Sequence, residues 1–360
     1  MSSRPPNQTG IDSNRVGSLP PSPFVDMLTS FLHGRPYHMQ HSGYEALVDF
    51  MPNARVINSL DFKNLPRLSY PLRLAHIIPR SYASLDAERA ALRSDGRVLH
   101  HLYAEDTMWA SLFAKRQRRS RPIVATFHRP PNLLERDMPF FWKRKMRNLS
   151  GLIALSPNQR DYLSSICGTK TLVTMIPHGI DTDRYAPADE LESKDLLLSV
   201  GGYLRDATTL LHAMRILADR GSPLKLVVVS KQPIVDGRNV SSFTNIGDED
   251  LLNYYKRAAI VVLPFHTLVA SNAMLEAMAF GKPIVCPDSD SARFYLGHDV
   301  QTMYNPGKPD SLVDKILWLH NNTQERRRLG SEMRARALQF SWPKICKSIL
   351  AFYDEVGTTL

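Results

Sequence analysis

Two trains of short apolar runs, separated by helix-like segments, constrain this chain more than any other feature. The first train comprises residues 54–58, 98–103, 123–127, 151–155 and 172–176, preceded by a helical stretch at 24–32. The second comprises 196–200, 224–229, 240–245, 260–264 and 283–286. Runs of Val, Ile and Leu without alternation suit parallel strands covered on both faces, and their alternation with amphipathic helices predicts βαβ units. The expected fold is α/β, with two doubly wound, Rossmann-like domains in succession. PHGIDTDRYAPADELESKD, rich in Pro, Gly and acidic residues, predicts the connection, with a hinge near 177–187. Residues 1–22 lack periodicity and read as a disordered tail. Domains at 23–180 and 181–340 follow, and 341–360 carry a final helix with Ser341 as N-cap and Pro343 in its first turn.

At 360 residues and 43% hydrophobic, the chain can bury two cores. Cys167, Cys286 and Cys346 lie far apart without a CxxC pair, which predicts neither a disulfide framework nor a zinc site and fits a reducing cytoplasm. No apolar run reaches the roughly eighteen residues of a membrane span, and the start MSSRPPNQTG lacks a signal peptide's apolar region. A cytoplasmic location is therefore expected. The net charge of +10 is uneven: residues 1–177 hold 24 Lys/Arg against 13 Asp/Glu, whereas 178–360 hold 21 against 22. An anionic partner for the first half follows, whether membrane surface, phosphorylated acceptor or nucleic acid.

The most informative string is LPFHTLVASNAMLEAMAFGKPIVCPD, residues 263–288, which reads strand, loop, helix, Gly turn, strand. Ser271 or Asn272 can cap a helix that Gly281 closes. Amides at such a helix start, with the positive end of its dipole, suit a phosphate. Glu276, one turn further along, could then reach a ribose diol. The plainer alternative is a simple cap with a solvated carboxylate.

Taken whole, the string resembles retaining glycosyltransferases of family 4, a GT-B group whose second domain carries a strand ending in Pro, a loop, then LEAMAxGxPVV. SGLIALSPNQRDYL at 150–163, IPHGIDTDRYAP at 176–187, SVGGYLRDATTLLHAM at 199–214 and DEDLLNYYKRAAIVVLPF at 248–265 agree in order. The resemblance covers roughly 98–356. It implies a GT-B fold with an interdomain cleft: an acceptor domain at 23–180, a donor-nucleotide domain at 181–340, and a last helix that crosses back. It also implies hexosyl transfer from a nucleoside diphosphate sugar, UDP- or GDP-linked, to a glycan or lipid-linked acceptor, with retention and without a metal or other cofactor. On this resemblance Glu276 binds the donor ribose, and the amides of Ser271, Asn272 and Ala273 hold the diphosphate. The first carboxylate of the family's E-x7-E pair falls at Leu268, so the pair is incomplete and the sugar stays open.

SVGGYLRD resembles the family's phosphate turn, through Gly201, Gly202 and Arg205. A metal-free transferase needs cations and amides to stabilise the departing diphosphate, which makes Arg205 the candidate; its alternative is a surface pair with Asp206. Lys231, just after the strand at 224–229, could add charge. In ATFHRPP at 125–131, His128 resembles the family histidine beside the donor sugar. Gly43 and Tyr44, in HMQHSGYEAL, resemble the glycine turn that meets the acceptor, and Tyr103 joins them as an acceptor candidate; an ordinary turn is the alternative.

Three DxD strings, at Asp181/Asp183, Asp248/Asp250 and Asp288/Asp290, sit where caps and turns are expected, and no catalytic metal is expected. Basic clusters at 115–121 and 139–147, the second mixed with Phe140, Phe141 and Trp142, suggest peripheral contact with an anionic membrane or simply a solvated face. No nucleic-acid motif accompanies them. The rival functions are a non-catalytic GT-B scaffold that binds sugar nucleotide, which Leu268 favours, and a nucleotide-sugar 2-epimerase.

Overall fold

The computed structural model describes residues 25–29, 43–51, 54–58, 97–107, 121–137, 140–188, 192–233, 237–297 and 301–358. The sequence-expected tail and most of the basic cluster at 115–121 lie outside them.

Six parallel strands make the first sheet: β1 (Val25–Thr29), β2 (Ala54–Asn58), β3 (Val98–His101), β4 (Ile123–Thr126), β5 (Gly151–Ala154) and β6 (Leu172–Met175), in the order β2-β1-β3-β4-β5-β6. β1 corrects the helix expected at 24–32. Its apolar spacing suits a helix, but the segment pairs on both sides, Val25 aligning with Ala54 of β2 and Val98 of β3. Pairing with two neighbours outweighs local preference.

The second sheet is also parallel: β7 (Ser193–Val200), β8 (Lys225–Val229), β9 (Val240–Phe243), β10 (Ala258–Val262), β11 (Ile284–Pro287) and β12 (Met303–Tyr304), in the order β12-β11-β10-β7-β8-β9. Besides the single turn Ala104–Thr107, the described helices are α1 (Pro131–Asp137), α2 (Phe140–Met146), α3 (Pro157–Cys167), α4 (Ala207–Asp219), α5 (Asp248–Arg257), α6 (Asn272–Ala279), α7 (Asp290–Leu296), α8 (Pro309–Asn321), α9 (Thr323–Ala337) and α10 (Trp342–Thr358). Buried Val and Leu of β7, β8 and β10 pack against α5 and α6 on one face and against α4 and α8 on the other.

The chain crosses between domains twice, side by side. Ile180 N–H donates to Phe340 O at 2.9 Å, and Trp342 N–H returns to Ile180 O at 3.1 Å. Gly179 lets the two crossings touch, because a Cβ there would lie 2.2 Å from Trp342 Cε3. After the return, α10 lays Trp342, Ile345, Ile349, Phe352 and Tyr353 into the core of the first sheet with Val98, Val124 and Ile153. Tyr295 of α7 ties the domains again, its hydroxyl donating to Leu155 O at 2.8 Å and accepting from His178 N–H at 3.1 Å.

Candidate active site

β7 and β10 are central neighbours in the second sheet, and the chain leaves them in opposite directions, toward β8 and toward β11. Such a reversal opens a crevice beyond the strand ends. The turns after β7 and after β10 flank it.

Arg205 bridges the two turns. Its Nη2 donates to Val200 O at 2.9 Å and lies 3.5 Å from Ser271 Oγ, while Nη1 donates to Tyr203 O at 3.2 Å. The guanidinium carbon sits 4.1 Å from the centre of the Phe265 ring. Nε is buried without a hydrogen-bond partner, and burial pushes the group down to about 10, so it remains charged at neutral pH. The sequence alternative for Arg205 does not form: Asp206 caps α4 instead, accepting from Thr209 N–H at 3.0 Å. Gly201, at φ +87°, opens the turn in a conformation that L side chains disfavour, and Gly202 is exposed beside it.

Across the crevice Ser271 is the N-cap of α6, its hydroxyl accepting from Met274 N–H. Asn272 and Ala273 form the first turn, and Gly281, at φ +67°, follows the helix end. An unsatisfied guanidinium N–H beside a helix start is an anion site in electrostatic terms. Lys231 is exposed after the end of β8, one strand from Gly201.

Glu276 departs from the open carboxylate expected of a ribose ligand. It is 3% exposed, and its Oε2 accepts from Tyr255 O–H at 2.8 Å. Tyr255 is itself buried, and burial together with Glu276 raises its phenol well above the usual range. Sequence reasoning missed Tyr255 because a tyrosine on the inner stripe of α5 reads only as core. Leu268, at the missing carboxylate's position, is packed in the second domain's core, and the next residue, Val269, belongs to the first domain's cluster. This loop therefore plugs into both lobes with hydrocarbon.

From the first domain, His128 follows β4. Its Nε2 is 2.8 Å from Leu102 O, which makes that nitrogen the donor, and its ring lies 4.5 Å from Tyr103 and 4.9 Å from Tyr44. The buried Glu105, absent from the sequence candidates, accepts the backbone N–H groups of both His128 and Arg129. Burial raises its carboxyl above the ordinary range. An acid after β3, with Asp106 beside it in sequence, carries no sequence signal for that task.

The acceptor candidates need a correction of role. Tyr44 is 1% exposed and Tyr103 4%, so neither ring can lie against an acceptor in this form. Tyr103 O–H donates to Glu45 and accepts from Tyr44 N–H, which pins the Gly43 turn. The two rings join His128, His178 and Trp342 in an aromatic cluster under the interdomain crossing. Gly43, at φ +116°, is also buried.

The DxD carboxylates have local duties: Asp181 accepts the N–H groups of Asp183 and Arg184, Asp248 opens α5 near Arg184, and Asp288 pairs with Arg293. Among the described residues no group of three or more His, Cys, Asp or Glu side chains is placed to hold a metal ion, and no helix is long and apolar enough to cross a membrane.

Two facing Rossmann-like lobes joined by a double crossing, with a crevice at the switch point of the second, define a GT-B protein. Profile comparison matches Glycosyltransferase Family 4 over residues 44–184 and Glycosyl transferases group 1 over residues 194–322. The chain belongs to this family of group 1, family 4 glycosyltransferases. It is 26% identical over 274 residues to MMP alpha-(1->4)-mannosyltransferase of Mycolicibacterium hassiacum, covering 65% of each chain. It is also 26% identical over 235 residues to D-inositol 3-phosphate glycosyltransferase of Frankia alni, covering 56% of this chain and 58% of that one. The match thus spans slightly less than two thirds of these relatives' lengths. Among solved structures, sucrose-phosphate synthase of Thermosynechococcus elongatus superposes with a TM-score of 0.72 at 16% identity, covering 93% of this chain and 99% of that one. Anabaena HepE in complex with UDP and glucose gives 0.66 at 15% identity, covering 92% and 99%.

Proposed function

We propose that this protein transfers a hexose-type sugar from a nucleoside diphosphate sugar to a hydroxyl of a glycan or lipid-linked acceptor, with retention of anomeric configuration and without a metal. The observation that carries the reading is the buried, unsatisfied Nε of Arg205 beside the capped start of α6. Family membership, and the likeness to Anabaena HepE in complex with UDP-glucose, support a sugar nucleotide as the occupant.

In this mechanism the diphosphate rests against Arg205, the Gly201–Gly202 turn and the amides of Asn272 and Ala273. As the bond from the anomeric carbon to the phosphate oxygen breaks, Arg205 stabilises the charge that develops on the leaving diphosphate. The acceptor oxygen bonds to the anomeric carbon on the same face, and its proton passes to the departing phosphate. His128 steadies the sugar from the opposite lobe. Glu276 takes the ribose diol once it shares or gives up Tyr255. Lys231 adds positive potential at the mouth.

A scaffold that binds the nucleotide without turnover is the second reading, favoured by the buried hydrocarbon of Leu268. Exposed Lys143, Arg144 and Arg147 around α2, with Trp142 and Met146 buried beneath, support docking on an anionic membrane. Salt-sensitive binding to anionic but not neutral vesicles checks this point.

A thermal-shift screen of nucleoside diphosphates and their sugars tests the main reading. A ligand at one hundred times its Kd stabilises by about 2.7 kcal/mol. Wild type should show that shift, and Arg205→Ala and Glu276→Ala should lose most of it. No shift with any nucleotide would refute the assignment, while a shift without product would leave the scaffold.

A further inference from the structure

Glu276 sits almost wholly inside protein, in the second turn of the helix whose start flanks the crevice. A buried carboxylate keeps its charge only where hydrogen-bond donors face it. One donor comes from a different element: the Tyr255 hydroxyl, on α5, donates to Glu276 Oε2 at 2.8 Å.

The surroundings fix that phenol as a donor. Its ring is fully buried and stacks on Phe280, the residue that ends α6, with centroids 5.3 Å apart and planes inclined by 16°. Phe280 in turn meets Tyr185 edge-on at 5.8 Å. In a close-packed interior such a ring turns only by displacing its neighbours. Burial, with Glu276 beside it, raises the phenol well above its usual range, so the proton stays on the oxygen at neutral pH. A hydroxyl has one proton to give. Ala273 O lies 3.4 Å away, beyond ordinary hydrogen-bond length, and Glu276 Oε2 lies 2.8 Å away, so the carboxylate takes it.

The consequence is geometric. A carboxylate carries about four acceptor positions on its two oxygens, so an anchor at one of them is compatible with a second partner. The anchor sets the plane of the group. A cis-diol depends on that plane, because two hydroxyls on neighbouring carbons meet a carboxylate together only in a narrow range of orientations. Without the anchor, the last torsion of Glu276 has a broad preference, and a buried carboxylate short of a donor holds a proton more readily, which removes an acceptor.

We propose that Tyr255 is the positioning residue of the ribose site: its hydroxyl holds the Glu276 carboxylate in the orientation that accepts a 2′,3′-diol, and so makes the protein select ribonucleotides over their 2′-deoxy counterparts. The inference rests on the transferase reading above and deepens its donor half. Tyr255 acts through Glu276 and need not touch the nucleotide.

Calorimetric titration of the full chain with UDP, 2′-deoxy-UDP, GDP and 2′-deoxy-GDP tests this, each variant being measured below its own Tm so that folded proteins are compared. Wild type should bind at least one ribonucleotide roughly tenfold or more tighter than its deoxy partner, as a hydrogen bond to a charged group implies. Tyr255→Phe keeps the ring and its stack on Phe280. It should cut that ratio by about fivefold or more while leaving the deoxy nucleotide's affinity within about twofold. In a Glu276→Gln background the same substitution should change the ratio by less than about twofold, because the group it acts through is gone. A merely structural role would weaken both nucleotides of a pair alike, and that result overturns the inference. An unchanged ratio in Tyr255→Phe overturns it too, as does an equal effect with and without Glu276. A ratio that rises would make Tyr255 a competitor of the diol and overturns it as well. If wild type binds ribose and deoxyribose forms equally, the inference fails and nucleotide binding stands; if it binds none of these nucleotides, the transferase reading fails with it.

Discussion

Replacing Arg205 by Met separates a ligand site from a structural pillar. Burial lowers the group's proton affinity to a value of about 10. At about 1.4 kcal/mol per tenfold change, holding the charge in the folded state costs about 3 kcal/mol. Methionine removes that cost and fills similar volume. Against it stand lost hydrogen bonds from the charged guanidinium to Val200 O and Tyr203 O, worth about 1.5–3 kcal/mol each. The net expectation is a ligand-free protein between unchanged and about 3 kcal/mol less stable, read as an unchanged or lowered Tm. Nucleotide affinity should fall whatever the stability does. Losing charge-assisted bonds of about 1.5–3 kcal/mol weakens binding roughly 10- to 100-fold. Calorimetric unfolding and titration of UDP and GDP measure both halves. A variant whose nucleotide affinity is intact would show that Arg205 braces the turns and binds no anion.

Three further outcomes are expected. His100 and His101 are buried and pushed down to about 3, so the unfolded chain takes up protons near pH 6.5 that the folded protein refuses; stability should fall from pH 6.5 to 5 with a slope approaching ~1.4 kcal/mol per pH unit for each, and flat urea midpoints would contradict this. Gly179→Ala drives a methyl to within 2.2 Å of the Trp342 ring and should cost about 1–3 kcal/mol in denaturant titration, unless the crossing is looser than described. Leu268→Glu, which restores the family carboxylate, buries a charge in a packed core and should destabilise by several kcal/mol; a stable variant with faster sugar transfer would mean this loop turns toward the crevice during the reaction.

Much of the second domain was legible because parallel strands buried on both faces print as unbroken Val, Ile and Leu runs: 196–200 and 224–229 overlap β7 and β8 closely. The Ser271 cap and the Gly281 stop were equally readable, being local chemistry. β1 was not, since VDMLT becomes a strand only by pairing with two partners distant in sequence. Site details failed for a related reason. Tyr255 acquires meaning only through Glu276, and Glu105 only through the amides of His128 and Arg129, contacts that no spacing announces. Tyr44 and Tyr103 were placed at the right lobe, but a motif gives position along the chain, and depth is decided by what packs above.

The return of α10 into the first sheet has a consequence for biosynthesis. Trp342, Phe352 and Tyr353 complete a core whose other walls were made some two hundred residues earlier. At roughly 5–20 residues per second of synthesis, the first lobe waits on the order of 10–40 s on the ribosome with that surface uncovered, while the second lobe has every strand it needs. A chain stopped short of α10 should therefore leave its earliest-made half unfinished and its later-made half folded, the reverse of the usual order of emergence.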